Sequence, residues 1–118
     1  MWHHPQPLDA GAMADAAGLL GGEHDFVAFC AADADPVRST VRRVLESGVR
    51  VEGPLLVYTI EANAFLKHMV RNIVGTLVEV GRGDRAVDGL ATVLAGRDRT
   101  RAGATAPAQG LTLVAVRY

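Results

Sequence analysis

Residues 65–81, FLKHMVRNIVGTLVEVG, constrain the fold more than any other stretch of this chain. Apolar residues recur there in adjacent pairs every four positions, which is the period of one face of an α-helix and not of a strand. The pattern predicts a single helix from Phe65 to Gly81 whose apolar face is buried. Lys67, His68 and Arg71 border that face, so the same helix carries a basic edge.

Arg71 has two interpretations on spacing alone. An arginine at the rim of a buried face can extend its guanidinium to water while its methylene groups pack on the apolar surface. Alternatively, its planar fork can pair with a carboxylate or a phosphate. The spacing does not distinguish the two.

The remaining pattern predicts an α+β fold with element order α-β-β-α-α-β and a mostly antiparallel sheet with helices packed on it. A helix begins after an N-cap at Asp9 and ends at Gly21-Gly22. Residues 24–36 are predicted to be a loop with buried Phe26 and Phe29. The later elements are strands at about 39–51 and 55–62, a helix at 86–94 and a final strand at 111–118. A turn at residues 52–54 joins the first two strands, and Ser47-Gly48 is a candidate bulge.

Length, cysteine content and charge distribution limit the classes of protein to which this chain can belong. The 118 residues suffice for one domain with its own core. One cysteine, Cys30, excludes an internal disulfide framework, and the N-terminus lacks the pattern of a signal peptide, so a cytoplasmic setting is predicted. Residues 1–36 carry six acids and no Lys or Arg, whereas residues 37–118 carry twelve Lys or Arg against seven acids. This asymmetry is compatible with an anionic partner such as nucleic acid, or with an unevenly charged solvated surface.

Two other candidate sites are weak. Residues 81–86, GRGDRA, fit the G-x-G-x-x-A pattern of a dinucleotide-binding turn, but such a turn follows a strand and here a helix is predicted. His3, His4 and His24 have no further ligands at metal-binding spacing. No metal site is predicted.

Three blocks, read together, carry a more specific signal. They are HDFVAF at residues 24–29, ANAFLKHMVRNIVGTLVEVGRG at 62–83 and RDRTRAGATAPAQGLTLVAV at 97–116. In order and spacing, these blocks and the opening WHHPQPLDAGAM resemble the C-terminal half of the tRNA pseudouridine synthase A family. The resemblance covers essentially the whole chain, and the A-F-L-x-x-M-V-R-x-I-x-G pattern around Arg71 is its most specific part.

The resemblance implies a function. Residues 1–118 would form the C-terminal α/β half of a pseudouridine-synthase-like catalytic domain. The family member would be an isomerase, a tRNA pseudouridine(38-40) synthase that converts uridine to pseudouridine in the anticodon stem-loop without cofactor or metal. It would bind tRNA as a homodimer. Arg71 matches the arginine that pairs with the catalytic aspartate, and Leu111 matches a leucine that packs against the target base. Weaker candidates for RNA contact are Lys67, His68, Arg97, Arg99 and Arg101.

The sequence departs from the family in one respect. The nucleophile's motif, Gly-Arg-Thr-Asp-x-Gly-Val-His, is absent, so the resemblance implies that the chain starts partway through a family member. Asp98 lies in a superficially similar run, but in the wrong order and in a late loop. Two hypotheses remain open: half of an enzyme whose partner is the missing N-terminal half, or a non-catalytic RNA-binding or assembly module. Removal of half a sheet would also leave an unpaired strand edge that favours self-association.

Overall fold

The computed structural model describes residues 8–30, 39–52, 55–66, 68–97, 102 and 115–117. Within these ranges the chain forms three α-helices, four strands and one short 3-10 turn. In chain order they are α1 (Ala10–Gly18), β1 (Gly22–Asp25), the 3-10 turn (Val27–Phe29), β2 (Val41–Glu52), β3 (Leu55–Ala62), α2 (Met69–Arg82), α3 (Gly89–Gly96) and β4 (Ala115–Arg117).

The described strands form one sheet in the order β1-β2-β3-β4. Strands β1, β2 and β3 pair antiparallel, and β4 pairs parallel to β3. The predicted α+β class and mostly antiparallel sheet are therefore confirmed. Strand β1 is an addition, because its polar sequence GEHD lies partly in the segment predicted to be a loop.

Strand β2 extends far beyond its first neighbour. Strand β1 pairs only with residues 41–44 of β2, and the register between β2 and β3 shifts between Val44 and Glu46. The bulge thus lies at Leu45 and not at Ser47-Gly48. Past Val44, no described strand pairs with the outer edge of β2. Two apolar residues of this open edge, Leu45 and Val51, are each 60% exposed.

Helix α1 begins where the sequence predicts. The Asp9 carboxylate accepts a hydrogen bond from the Ala12 N–H at 3.0 Å, which satisfies one of the free donors of the first turn. The Asp9 N–H donates to the carbonyl of Gly81 at 2.9 Å, so the start of α1 is joined to the end of α2. Close packing accompanies that contact, because a Cβ built on Gly81 would lie 2.6 Å from the sulfur of Met13.

Helix α2 is buried on the face that its periodicity predicts. Met69, Ile73 and Leu77 are at most 1% exposed and pack into the core. The helix starts at Met69, later than the predicted Phe65, because His68 adopts a left-handed conformation with φ of 60° that cannot continue a helix. It ends at Arg82, one residue past the predicted Gly81, and Gly83 with its φ of 84° forms a left-handed cap.

The core lies between the helices and one face of the sheet. Phe26 and Phe29 are fully buried, as predicted, and Cys30 is a small buried core residue. At the margin of the core, the hydroxyl groups of Tyr58 and Ser47 hydrogen-bond across β2 and β3 at 2.8 Å. Burial raises the pKa of the Tyr58 phenol well above its usual range, against a smaller lowering by the Ser47 bond.

Candidate functional site

Arg71 lies in the first turn of α2 and is partly buried. The next residue fixes the position of this turn, because the Asn72 side-chain amide donates to the main-chain carbonyl of Phe29 at 2.7 Å in a buried contact. The Thr76 hydroxyl then donates to the carbonyl of Asn72 at 3.0 Å. Hydrogen bonding and packing therefore fix the first turn of α2, and with it Arg71, relative to the 3-10 turn.

The prediction that one helix carries Lys67, His68 and Arg71 along a basic edge is wrong, because α2 begins only at Met69. His68 is the N-cap of α2, is exposed, and makes no capping hydrogen bond with its side chain. Its carbonyl accepts the N–H of Asn72 at 2.9 Å, so its main chain and not its imidazole contributes to the helix start. His68 therefore precedes the helix that carries Arg71. Their separation in sequence does not translate into a shared helical face.

Arg97 lies at the end of α3, where its φ of 54° places it in the left-handed region. Its side chain is 67% exposed, and its guanidinium Nη1 lies 3.9 Å from the carboxylate Oδ2 of Asp25. The other carboxylate oxygen of Asp25 accepts hydrogen bonds from the Val27 N–H at 3.1 Å and from the Thr40 hydroxyl. Asp25 is therefore held in place independently of Arg97.

Residues 25–29, which we call the bridging turn, contact Arg97 at one end and the residue next to Arg71 at the other. Asp25 at its start faces Arg97, and Phe29 at its end accepts the bond from the neighbour of Arg71. Helices α2 and α3 both pack against the 3-10 turn within this segment. Sequence reasoning recognised the HDFVAF block but missed the roles of Asp25 and Asn72. The Asp-x-Val order was a usable signal, since aspartate often bonds the N–H two residues on.

Four predicted site residues lie outside the described residues. They are Lys67, Arg99, Arg101 and Leu111. The described segments contain no group of three or more His, Cys, Asp or Glu that could hold a metal ion. None of the helices within them is long and apolar enough to cross a membrane.

The glycines of the GRGDRA segment terminate a helix. Gly81 lies inside α2, and Gly83 caps that helix with its N–H donating to the Val80 carbonyl at 3.0 Å. A dinucleotide-binding turn requires a strand before its first glycine. The preceding element is a helix, so the structure contradicts the nucleotide-binding alternative.

Comparison with known proteins supports the resemblance found in the sequence. The family described as tRNA pseudouridine synthase matches residues 16–118. The chain belongs to this family. The match includes the bridging turn and both described arginines of the candidate site.

Relatives named tRNA pseudouridine synthase A align with nearly the whole chain. The protein from Moorella thermoacetica is 50% identical over 117 residues, covering 99% of this chain and 47% of the relative. The protein from Chloroflexus aurantiacus is 53% identical over 120 residues, covering 98% of this chain and 43% of the relative. The protein from Myxococcus xanthus is 49% identical over 118 residues, covering 99% of this chain and 44% of the relative. The chain therefore spans less than half the length of these relatives.

Proposed function

We propose that this chain supplies the C-terminal half of a tRNA pseudouridine synthase, which isomerises uridine to pseudouridine in the anticodon stem-loop of tRNA. The observation that best supports the proposal is the match of the tRNA pseudouridine synthase family to residues 16–118, a range that includes Arg71 and the Asn72 bond of 2.7 Å beside it. The proposed partners are tRNA and either the N-terminal half or a second copy in a homodimer. The proposed setting is the cytoplasm.

The proposed chemistry moves one bond of the nucleoside. The glycosidic bond between C1′ and N1 breaks, a new bond between C1′ and C5 forms, the hydrogen on C5 leaves as a proton to solvent, and N1 gains a proton from solvent. A carboxylate nucleophile is suited to this reaction when it stays ionised and oriented. A guanidinium beside it does both, because the positive charge lowers the pKa of the carboxyl group and the planar fork fixes its orientation.

We assign the residues accordingly. Arg71 orients the aspartate of the N-terminal half, and Leu111 packs on the target base. RNA contacts are assigned to the basic residues already predicted for them, Lys67, His68, Arg97, Arg99 and Arg101. Exposure of Arg97 and His68 supports their availability to a large polyanion.

Release of tritium from tRNA labelled at uracil C5 tests the proposal. The purified chain alone should release none, whereas adding a separately produced N-terminal half from the Moorella thermoacetica relative should restore release. Arg71→Lys should reduce the restored rate by about 100-fold or more, because a lysine cannot hold a carboxylate with two parallel bonds.

Arg82→Lys provides the matched control, since Arg82 lies in the last turn of the same helix and pairs with Asp84 at 2.9 Å. Its rate should stay within about twofold of the unmodified chain. Release by the chain alone would show that an acid within it is the nucleophile, contrary to the proposal. Salt-dependent tRNA binding without any restored release would favour the non-catalytic RNA-binding or assembly module instead.

A further inference from the structure

Asp25 divides its two carboxylate oxygens between different tasks. Oδ1 accepts the Val27 N–H at 3.1 Å and the Thr40 hydroxyl, which closes the bridging turn onto the start of β2. Oδ2 faces the Arg97 guanidinium at 3.9 Å. The Asp25 side chain is 29% exposed, so the carboxylate is fixed yet still reaches the surface.

Arg97 is also placed by its main chain. It follows the last residue of α3 and adopts a left-handed conformation that is unfavourable for a residue with a Cβ atom. Helix α3 packs against both β1 and the 3-10 turn, which hold Asp25 and its neighbours. The pair is therefore brought together by the packing of its elements, and not only by attraction between the two charges.

A negative charge beside Arg97 is by itself unfavourable for RNA binding. Arg97 opens a basic run that holds three arginines within residues 97–101. A carboxylate beside Arg97 repels phosphate groups and lowers the local positive potential. The bonds to Oδ1 support the turn, whereas an exposed ion pair such as the one at Oδ2 contributes little to folding stability, so stability does not account for the pairing with Arg97.

We propose that Asp25 is a positioning residue that holds the Arg97 side chain in the orientation that contacts a phosphate of tRNA. This inference rests on the proposed function. Restricting a long side chain before binding lowers the entropy that binding would otherwise cost. The benefit of orientation is predicted to exceed the repulsion between the carboxylate and the RNA.

The substitution Asp25→Asn distinguishes orientation of the Arg97 side chain from support of the bridging turn. An asparagine can keep a carbonyl oxygen toward Val27 and Thr40 while it removes the negative charge that faces Arg97. Positioning predicts that tRNA affinity falls by about 3- to 10-fold near 0.1 M salt. Simple repulsion predicts the opposite sign, because removal of a negative charge would tighten binding.

Glu23→Gln is the matched control, since Glu23 is an exposed acid two residues earlier on β1 and lies opposite Arg43 in the sheet. It loses the same charge and should bind tRNA as tightly as the unmodified chain or slightly more tightly. Thermal melting should show that both variants remain folded. Thr40→Val, which removes one of the bonds to Oδ1, should weaken tRNA binding in the same direction as Asp25→Asn.

Arg97→Gln completes the test. The dependence of tRNA affinity on salt should become weaker, and the slope of log affinity against log salt should decrease in magnitude by about one, as expected for the loss of one phosphate contact. In that background Asp25→Asn should no longer weaken binding, since the side chain that it positions is absent. Unchanged or tighter binding by Asp25→Asn, or an equal loss in both backgrounds, overturns this inference alone. Failure of the unmodified chain to bind tRNA in a salt-dependent manner overturns the proposed function and this inference with it.

Discussion

At the scale of single residues, Asn72 makes a strong structural contribution to the neighbourhood of Arg71. It is 8% exposed, and its amide donates to the Phe29 carbonyl across a large separation in sequence. A carbonyl that loses such a donor inside the protein remains dehydrated and unpaired. Asn72 therefore matters for stability and also for where the first turn of α2 stands.

Asn72→Ala should lower the free energy of unfolding by about 1–3 kcal/mol, because the Phe29 carbonyl would be left without this partner. Urea unfolding followed by circular dichroism measures the loss. Thr92→Ala is the control, since the exposed Thr92 hydroxyl bonds only within its own helix, to the Asp88 carbonyl at 3.1 Å. The control should change stability by less than about 0.5 kcal/mol, and an equally small change for Asn72→Ala would contradict the prediction.

The sequence predicted single residues of the site only in part. Arg71 could be singled out because a specific pattern surrounds it. The bond from Asn72 could not, because an asparagine beside a buried helix face does not disclose which distant carbonyl it will meet. His68 was misplaced for a local reason, since a left-handed residue before a helix leaves no periodic signal.

At the scale of elements, the contact between α1 and α2 depends on a residue without a side chain. A Cβ on Gly81 would approach the Met13 sulfur to 2.6 Å and the Cβ of Leu8 to 3.3 Å. Met13 is 5% exposed and lies in the core, so it has little free space into which to move. Gly81 is thus needed for close packing, although alanine is the better helix former.

Gly81→Ala should destabilise the chain by about 1–2 kcal/mol, because overpacking outweighs the gain in helix propensity. Chemical denaturation of the two proteins gives the difference. Gly18→Ala is a suitable control, since a Cβ there meets no atom within 4 Å and should leave stability unchanged or slightly higher. Adding Met13→Ala should reduce the cost of the Gly81 change. An equal cost with and without Met13 would show that this contact is not the cause.

Periodicity predicted the types of most elements better than their ends. The four-residue repeat identified α2 because a buried helix face must recur with the helical turn. Strand β1 was missed because GEHD has no apolar alternation and gains its pairing from β2. The bulge at Leu45 was displaced from its predicted position at Ser47-Gly48, since a bulge is set by the register of both strands.

At the scale of the whole molecule, part of one edge of the sheet is not paired with any described strand. Past Val44, β2 has no described strand on its outer side, and Leu45 and Val51 are well exposed there. A long edge with apolar residues can pair with the same edge of another molecule. Self-association through this edge is therefore expected to increase with protein concentration.

Replacing Leu45 and Val51 together by lysine should lower the average mass of the chain at high concentration, because like charges would oppose pairing of two edges. Sedimentation velocity over a range of concentrations measures this. Leu19→Lys offers a comparison, since Leu19 is 42% exposed but caps the end of α1 and belongs to no strand. Equal masses for the unmodified chain and the double variant would exclude this edge as the contact.

The parallel pairing of β4 with β3 determines the order in which the sheet can be completed. Thr59 pairs with Ala115, although both α2 and α3 lie between them in the chain. The β2–β3 hairpin needs only local contacts, which form within microseconds, whereas the parallel pair must close a long crossover. During synthesis, β3 leaves the ribosome well before β4 and keeps one side unpaired in the meantime. The nascent chain therefore passes through a stage in which β3 is an edge strand, and completion of the sheet is expected to be its slow folding step.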